Sequence, residues 1–218
     1  VAGLAGAIVL GPRIGKFNKD GSANTLPGHH IPMAMLGTFI LLFGWFGFNA
    51  ASTFAVTDVR FAVVAANTAI AGAFGAVTAM FFMQIKIGKP DPGMMVNGML
   101  GGLVAVTAPC AFIQPWAAAV IGIIAGVLIP VAAEFIEKRG IDDPVGAVAV
   151  HGIGGTFGVL AVGIFADGQY GSGWNGTTTT TDGVTGLLYG GDGPGQFLSQ
   201  LAGVVVIWTV IFGIAFAF

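Results

Sequence analysis

The chain has 218 residues, of which 55% are hydrophobic and only 8% charged. Soluble domains carry about 25% charge, and the mean hydropathy of +0.88 points the same way, so a soluble globular domain and a disordered chain are both excluded. Eight Lys and Arg against ten Asp and Glu give a net charge of −2, with no basic stripe for nucleic acid. What remains is an all-α polytopic membrane protein. Strands of a membrane barrel would run to about ten residues with period two, and that alternation is missing. Cys110 stands alone and supports no disulfide framework.

The first apolar stretch, 1–11, starts without a polar flank or signal-peptide leader. Val1 therefore reads as the middle of a helix in a longer protein, and the apolar end at Phe218 reads similarly. Arg13, Lys16 and Lys19 follow in the first loop. His29 and His30 come just before Pro32 at the entry of the second stretch, 32–54, and read as interfacial imidazoles. No acid or cysteine ligand falls at helical spacing from them, so a metal site is weakly supported. No cofactor is implied.

The outer end of that stretch carries Trp45, Phe48, Asn49 and Ser52. Aromatic residues anchor helices at the membrane interface. Ring faces also attract cations, and hydroxyl or carbonyl oxygens accept their hydrogen bonds. The cluster has both features, which suits the reception of a small cation. Phe48 and Ser52 share a helix face at i, i+4.

Further stretches run over 61–85, 94–113, 117–136, 145–166 and 196–218, most close to the roughly 20 residues that cross a bilayer core. Gly98/Gly102, Gly122/Gly126 and Gly154/Gly158 match the small-xxx-small pattern of close helix packing. Pro130 falls inside the fifth stretch, where it is expected to kink a helix. Asp142-Asp143-Pro144 is a strong helix start before the sixth. Lys86, Lys89, Lys138 and Arg139 fall in the third and fifth loops, so seven of the eight basic residues share one side, leaving Arg60. The positive-inside bias makes that side cytoplasmic. The 167–195 loop, with Asp167, Asp182 and Asp192 and no Lys or Arg, is then external. It contains an Asn175-Gly-Thr177 sequon and the Thr177–Thr181 run.

His151 is the ionisable side chain placed well inside a span. It lies seven residues beyond Pro144, about 10 Å deep at 1.5 Å per residue. Such a residue is a functional-site candidate by default. A neutral imidazole donates one hydrogen bond and accepts one, which suits a polar solute or a proton relay. The competing reading is a structural bond between helices. A membrane enzyme is disfavoured: it needs a second convergent group beside His151, and no Asp, Glu, Lys or Arg lies deep in any span.

These strings together resemble the ammonium transporter (Amt/Mep/Rhesus) family. They are Ala2–Ala7 with Leu10-Gly-Pro-Arg13, His29-His-Ile-Pro32, Leu42–Ser52, Asn67-Thr68, Gly98–Thr107, Ile141-Asp-Asp-Pro144 and Val150–Gly155. The resemblance implies a helical bundle of two inverted repeats, of which this chain covers the second, from the end of the fifth helix through most of the eleventh. It implies a homotrimer in the cell membrane, each protomer conducting ammonium or ammonia through a narrow pore, and a cytoplasmic regulatory protein as a further partner. By matching strings, Trp45 and Ser52 resemble the outer recruitment site and Phe48 one of the stacked gate phenylalanines. His151 resembles the second of the twin pore histidines, Thr107 the threonine of the inner pore, and Asp143 a structural aspartate at the cytoplasmic end. The first twin histidine and the other gate phenylalanine would lie upstream of Val1. Ala51 stands where many relatives have glycine. An ammonium sensor on the same fold and a Rhesus-type gas channel are the alternatives.

Overall fold

The computed structural model describes residues 1–169, 183–190 and 193–218. The sequon at Asn175, the Thr177–Thr181 run, Asp182 and Asp192 lie outside the described residues.

The helices are α1 (Ala2–Leu10), α2 (Ile31–Asn49), α3 (Val59–Ile87), α4 (Pro92–Thr107), α5 (Pro115–Lys138), α6 (Gly154–Phe165), α7 (Gly193–Val206) and α8 (Phe212–Ala217). A wide π turn, Val148–Ile153, leads into α6, and a second, Ile207–Ile211, joins α7 to α8. The runs Ile31–Thr53, Val59–Ile87, Pro115–Lys138, Val148–Phe165 and Gly193–Ala217 are long and apolar enough to cross a membrane. The chain is a multi-pass, all-α membrane protein.

Local chemistry sets the helix ends. The His30 imidazole accepts from Met33 N–H at 3.0 Å and caps α2, with Pro32 in the first turn. Asp58 caps α3 through Arg60 N–H, and Asp91 caps α4 through Met94 N–H. The sequence expects the fourth apolar stretch to continue to residue 113, but α4 stops at Thr107. Pro109 explains the early stop: it has no N–H to continue the helical ladder, although Ala108 before it keeps helical backbone angles.

The bundle is sealed along α3 by missing side chains. A Cβ on Gly102 would lie 2.2 Å from Ala71 O, and one on Gly98 would lie 2.3 Å from Ala79 Cβ. One on Gly122 would meet Ala71 O at 2.5 Å, and one on Gly126 would meet Thr78 Cβ at 2.6 Å. Both small-xxx-small pairs of α4 and α5 therefore press onto α3, allowing backbones to approach where lipid offers no hydrophobic drive. Gly158 brings α6 against Ala105 of α4 in the same way. Pro130 is buried within α5.

The basic loops meet at one end of the bundle. Arg13 in the first loop bonds both oxygens of Asp142 in the fifth, Nε to Oδ2 at 2.7 Å and Nη2 to Oδ1 at 2.9 Å. Lys16 pairs with Glu137, and Lys86 with Glu134. Glu134 also holds Lys138 at 2.9 Å. Loops one, three and five thus share one face, as the charge pattern requires.

Candidate functional site

The site is a groove of about 520 Å³ between α2, α4 and α6. Ile40, Leu41, Gly44, Trp45 and Phe48 line it from α2, and Val104, Thr107 and Ala108 from the end of α4. His151, Gly155 and Val159 complete it. These last three lie at four-residue intervals and form one stripe of a helical face. The lining is almost wholly apolar, with the Trp45 indole, the Thr107 hydroxyl and the His151 imidazole as its polar groups.

Those three groups converge. Trp45 Nε1 donates to Thr107 Oγ1 at 2.8 Å, and Thr107 Oγ1 donates to Leu103 O at 2.7 Å. The indole proton is thereby satisfied and the ring is held in one plane. That plane lies 12° from the His151 ring, with centroids 6.5 Å apart. Trp45 also meets Phe48 edge-on at 6.3 Å. Among the described residues, neither ring nitrogen of His151 has a hydrogen-bond partner. The imidazole is therefore free to exchange hydrogen bonds with a solute in the groove. Phe48, at the rim, is 64% exposed.

The residues singled out in the sequence distribute as follows. Trp45, Phe48, Thr107 and His151 share the groove. Ser52 lies in the short turn Ala51–Thr53 beyond α2, its hydroxyl donating to Phe48 O, and is not among the lining residues. Trp45 is thus grouped with His151 and Thr107 rather than with Ser52. Asn49 faces away from the groove: it is 6% exposed and donates to Thr68 Oγ1 at 3.0 Å between α2 and α3. Asp143 is at the ion-paired end, where its Oδ2 accepts from Val148 N–H at 2.9 Å and Ala149 N–H at 3.1 Å. It caps the turn that carries His151. A second cavity, of about 400 Å³, opens at that end beside Asp143 and the Arg13–Asp142 pair. The Arg13 guanidinium holds the Asp142 carboxyl down to about 2, first through the side-chain hydrogen bond.

Sequence reasoning did not find Trp208 and Thr156. Trp208 Nε1 donates to Thr156 Oγ1 at 2.8 Å, duplicating the Trp45–Thr107 bond on the other side of the His151 helix. The signal was faint, being one more tryptophan in an apolar stretch.

A model of the Ammonium Transporter Family matches residues 1–218. The chain belongs to the ammonium transporter family. It is 50% identical over 214 residues to "Ammonium transporter Amt2" of Archaeoglobus fulgidus, covering 98% of this chain and 44% of that protein. It is 38% identical to "Ammonium transporter Amt2" of Haloferax mediterranei, covering 97% of this chain and 46% of that one. Among solved structures, "Sensor Amt Protein" superposes with a TM-score of 0.86 at 40% identity, over 99% of this chain and 50% of its own. Mep2 of Candida albicans superposes at 0.85 with 26% identity, over 99% of this chain and 46% of its own. This family member therefore spans about half the length of the relatives it matches.

Proposed function

We propose that this chain forms part of a conduit for ammonium and ammonia, with the groove between α2, α4 and α6 as one wall of the pore. The parallel pairing of Trp45 with His151, pinned by the Thr107 hydroxyl, carries this reading. Ammonium is received from outside at the Ser52 and Trp45 end, loses a proton, and passes Phe48 and His151 as neutral ammonia. The proton takes its own route through the imidazole. A charge at the centre of a bilayer costs about 2.5–3.5 kcal/mol even on lenient scales, so an apolar groove favours the neutral form. Potassium has no proton to shed and is rejected. The protein works as a homotrimer in the cell membrane, with its ion-paired end toward the cytoplasm and open to a regulatory protein. The test is ammonium-evoked current and uptake by the intact protein in proteoliposomes, against potassium as control. Potassium currents equal to those of ammonium would overturn it.

The likeness to "Sensor Amt Protein" favours a second reading, in which the same groove binds ammonium to report it. Saturable ammonium binding without flux in the same vesicles would select the sensor.

A further inference from the structure

His151 sits in the π turn Val148–Ile153, not in regular α-helix. Such a turn has a wider hydrogen-bond ring than the α-helix, is rare, and recurs at functional sites. It therefore needs outside contacts to hold it. Val148, Ala149 and Val150 pack on Ile129, Ala132 and Ile136 of α5, and two sets of side-chain hydrogen bonds meet the turn, one at each end.

At the start, the Asp143 carboxylate accepts from the first two amides of the turn, Val148 and Ala149. At the far end, Thr156 Oγ1 donates to the carbonyl of Gly152 at 2.8 Å and accepts from Trp208 Nε1 at 2.8 Å. Gly152 directly follows His151. The Cζ2 and Cη2 atoms of the Trp208 ring lie 3.7 Å from where a Cβ on Gly152 would stand, in ordinary contact with that side of the turn. Trp208 itself belongs to the other π turn, Ile207–Ile211. The two wide turns thus face each other, joined by an indole, a hydroxyl and a carbonyl in series. The stripe His151–Gly155–Val159 faces the groove, while the adjoining pair Gly152–Thr156 faces Trp208. Holding one face fixes the rotation of the other.

We propose that Trp208, acting through Thr156, is a positioning residue that clamps the far end of this turn and aims the His151 imidazole into the groove. This rests on the reading of His151 as a pore group. The hydroxyl is the essential link, because it both receives the indole proton and ties back to the carbonyl beside His151. Trp208 does not touch the groove.

The test uses the intact protein in lipid vesicles, with ¹⁵N-labelled histidine, and reads the His151 ring signals by NMR alongside ammonium-evoked current. His151→Gln assigns those signals. Trp208→Phe keeps a ring without the N–H, Thr156→Val keeps the shape without the hydroxyl, and Thr156→Ser restores the hydroxyl. Trp208→Phe and Thr156→Val should each shift the His151 signals and lower current about two- to tenfold, the range set by one hydrogen bond. The double variant should be no worse than the poorer single one, and Thr156→Ser should return to wild type. If Trp208→Phe fails to fold, the Thr156 pair carries the comparison. Unshifted His151 signals in Thr156→Val overturn the clamp, and a normal wild-type current then leaves the conduit reading standing. A silent wild type with shifted signals in the variants removes the conduit and keeps the clamp.

Discussion

The two ends of the molecule handle polarity in opposite ways. At the ion-paired end, Arg13, Lys16, Lys86 and Lys138 are matched by Asp142, Glu137 and Glu134. In the groove, the His151 imidazole is the one titratable group among the lining residues, and the polar contact there is a neutral indole-to-hydroxyl bond. At the bundle end each charge has an opposite charge beside it, and most of these side chains also reach water. In the apolar interior each unpaired charge is expensive, so the same task of orienting side chains falls to neutral donors. The difference teaches what each region can pass: the end can gather ions, whereas the groove suits a neutral, hydrogen-bonding solute.

His151→Leu offers the sharpest way to break that comparison. It keeps bulk, removes both ring nitrogens and leaves the groove wholly apolar on that side. Ammonium-evoked current in a bilayer should fall about a hundredfold, the low end of what a positioned proton-transfer group contributes. His151→Glu should keep current but leak potassium, because a carboxylate lowers the barrier for any cation. A wild-type current from a folded His151→Leu protein would leave the imidazole a purely structural role.

The opposite end is tested by Asp142→Ala. The carboxylate side chain is only 3% exposed and accepts three bonds from Arg13, two from the guanidinium and one from its backbone N–H at 3.0 Å. Hydrogen bonds to charged groups are among the stronger ones, discounted here because the Arg13 side chain is 45% exposed. Amides over 13–24 should exchange about tenfold faster by hydrogen–deuterium exchange, with the groove unaffected. Equal loosening around His151 would show that the two regions are not independent.

Trp45→Leu combined with Ser52→Ala probes the reception of the cation. Cation–π attraction is worth about 0.5–2 kcal/mol, so uptake at low ammonium should fall about fivefold while uptake at saturation survives. Equal losses at both concentrations would assign Trp45 to the pore wall beside His151 alone.

Acid has the mildest effect expected. Asp142 is held at about 2 by Arg13, below its ordinary value near 4. A depressed acid contributes stability that is present above that ordinary value and is lost as pH falls through the lowered one. The ion-paired end should therefore stay intact down to about pH 4 and loosen between about pH 4 and about pH 2. Exchange over 13–24 as a function of pH measures this, and loosening that begins near neutrality would exclude Asp142 as its cause.

Much of the site was readable along the chain because its signals are local. His151 is conspicuous as an ionisable group in an apolar run, and the glycine pairs at four-residue spacing mark close-packed faces directly. The Trp45 cluster was also visible, but its partners were not. Asn49 and Ser52 sit beside Trp45 in sequence, yet one turns to Thr68 and the other back to Phe48 O. Which way a side chain turns depends on the rotation of its helix, and hydropathy alone leaves that open.

Composition, hydropathy and charge by themselves determined the membrane class, the helical character and the gathering of basic loops on one side. Each follows from short-range cost: apolar runs of span length belong in lipid, and Lys and Arg stay at its edge. The tertiary structure alone decided the long-range pairs. Trp45 meets Thr107 across 62 positions, Arg13 meets Asp142 across 129, and Trp208 meets Thr156 across 52. It also decided the π turn under His151, which changes the rotational register of every residue beyond it. Such pairings depend on how separate helices and loops approach one another, and no local pattern encodes the angle at which those helices meet.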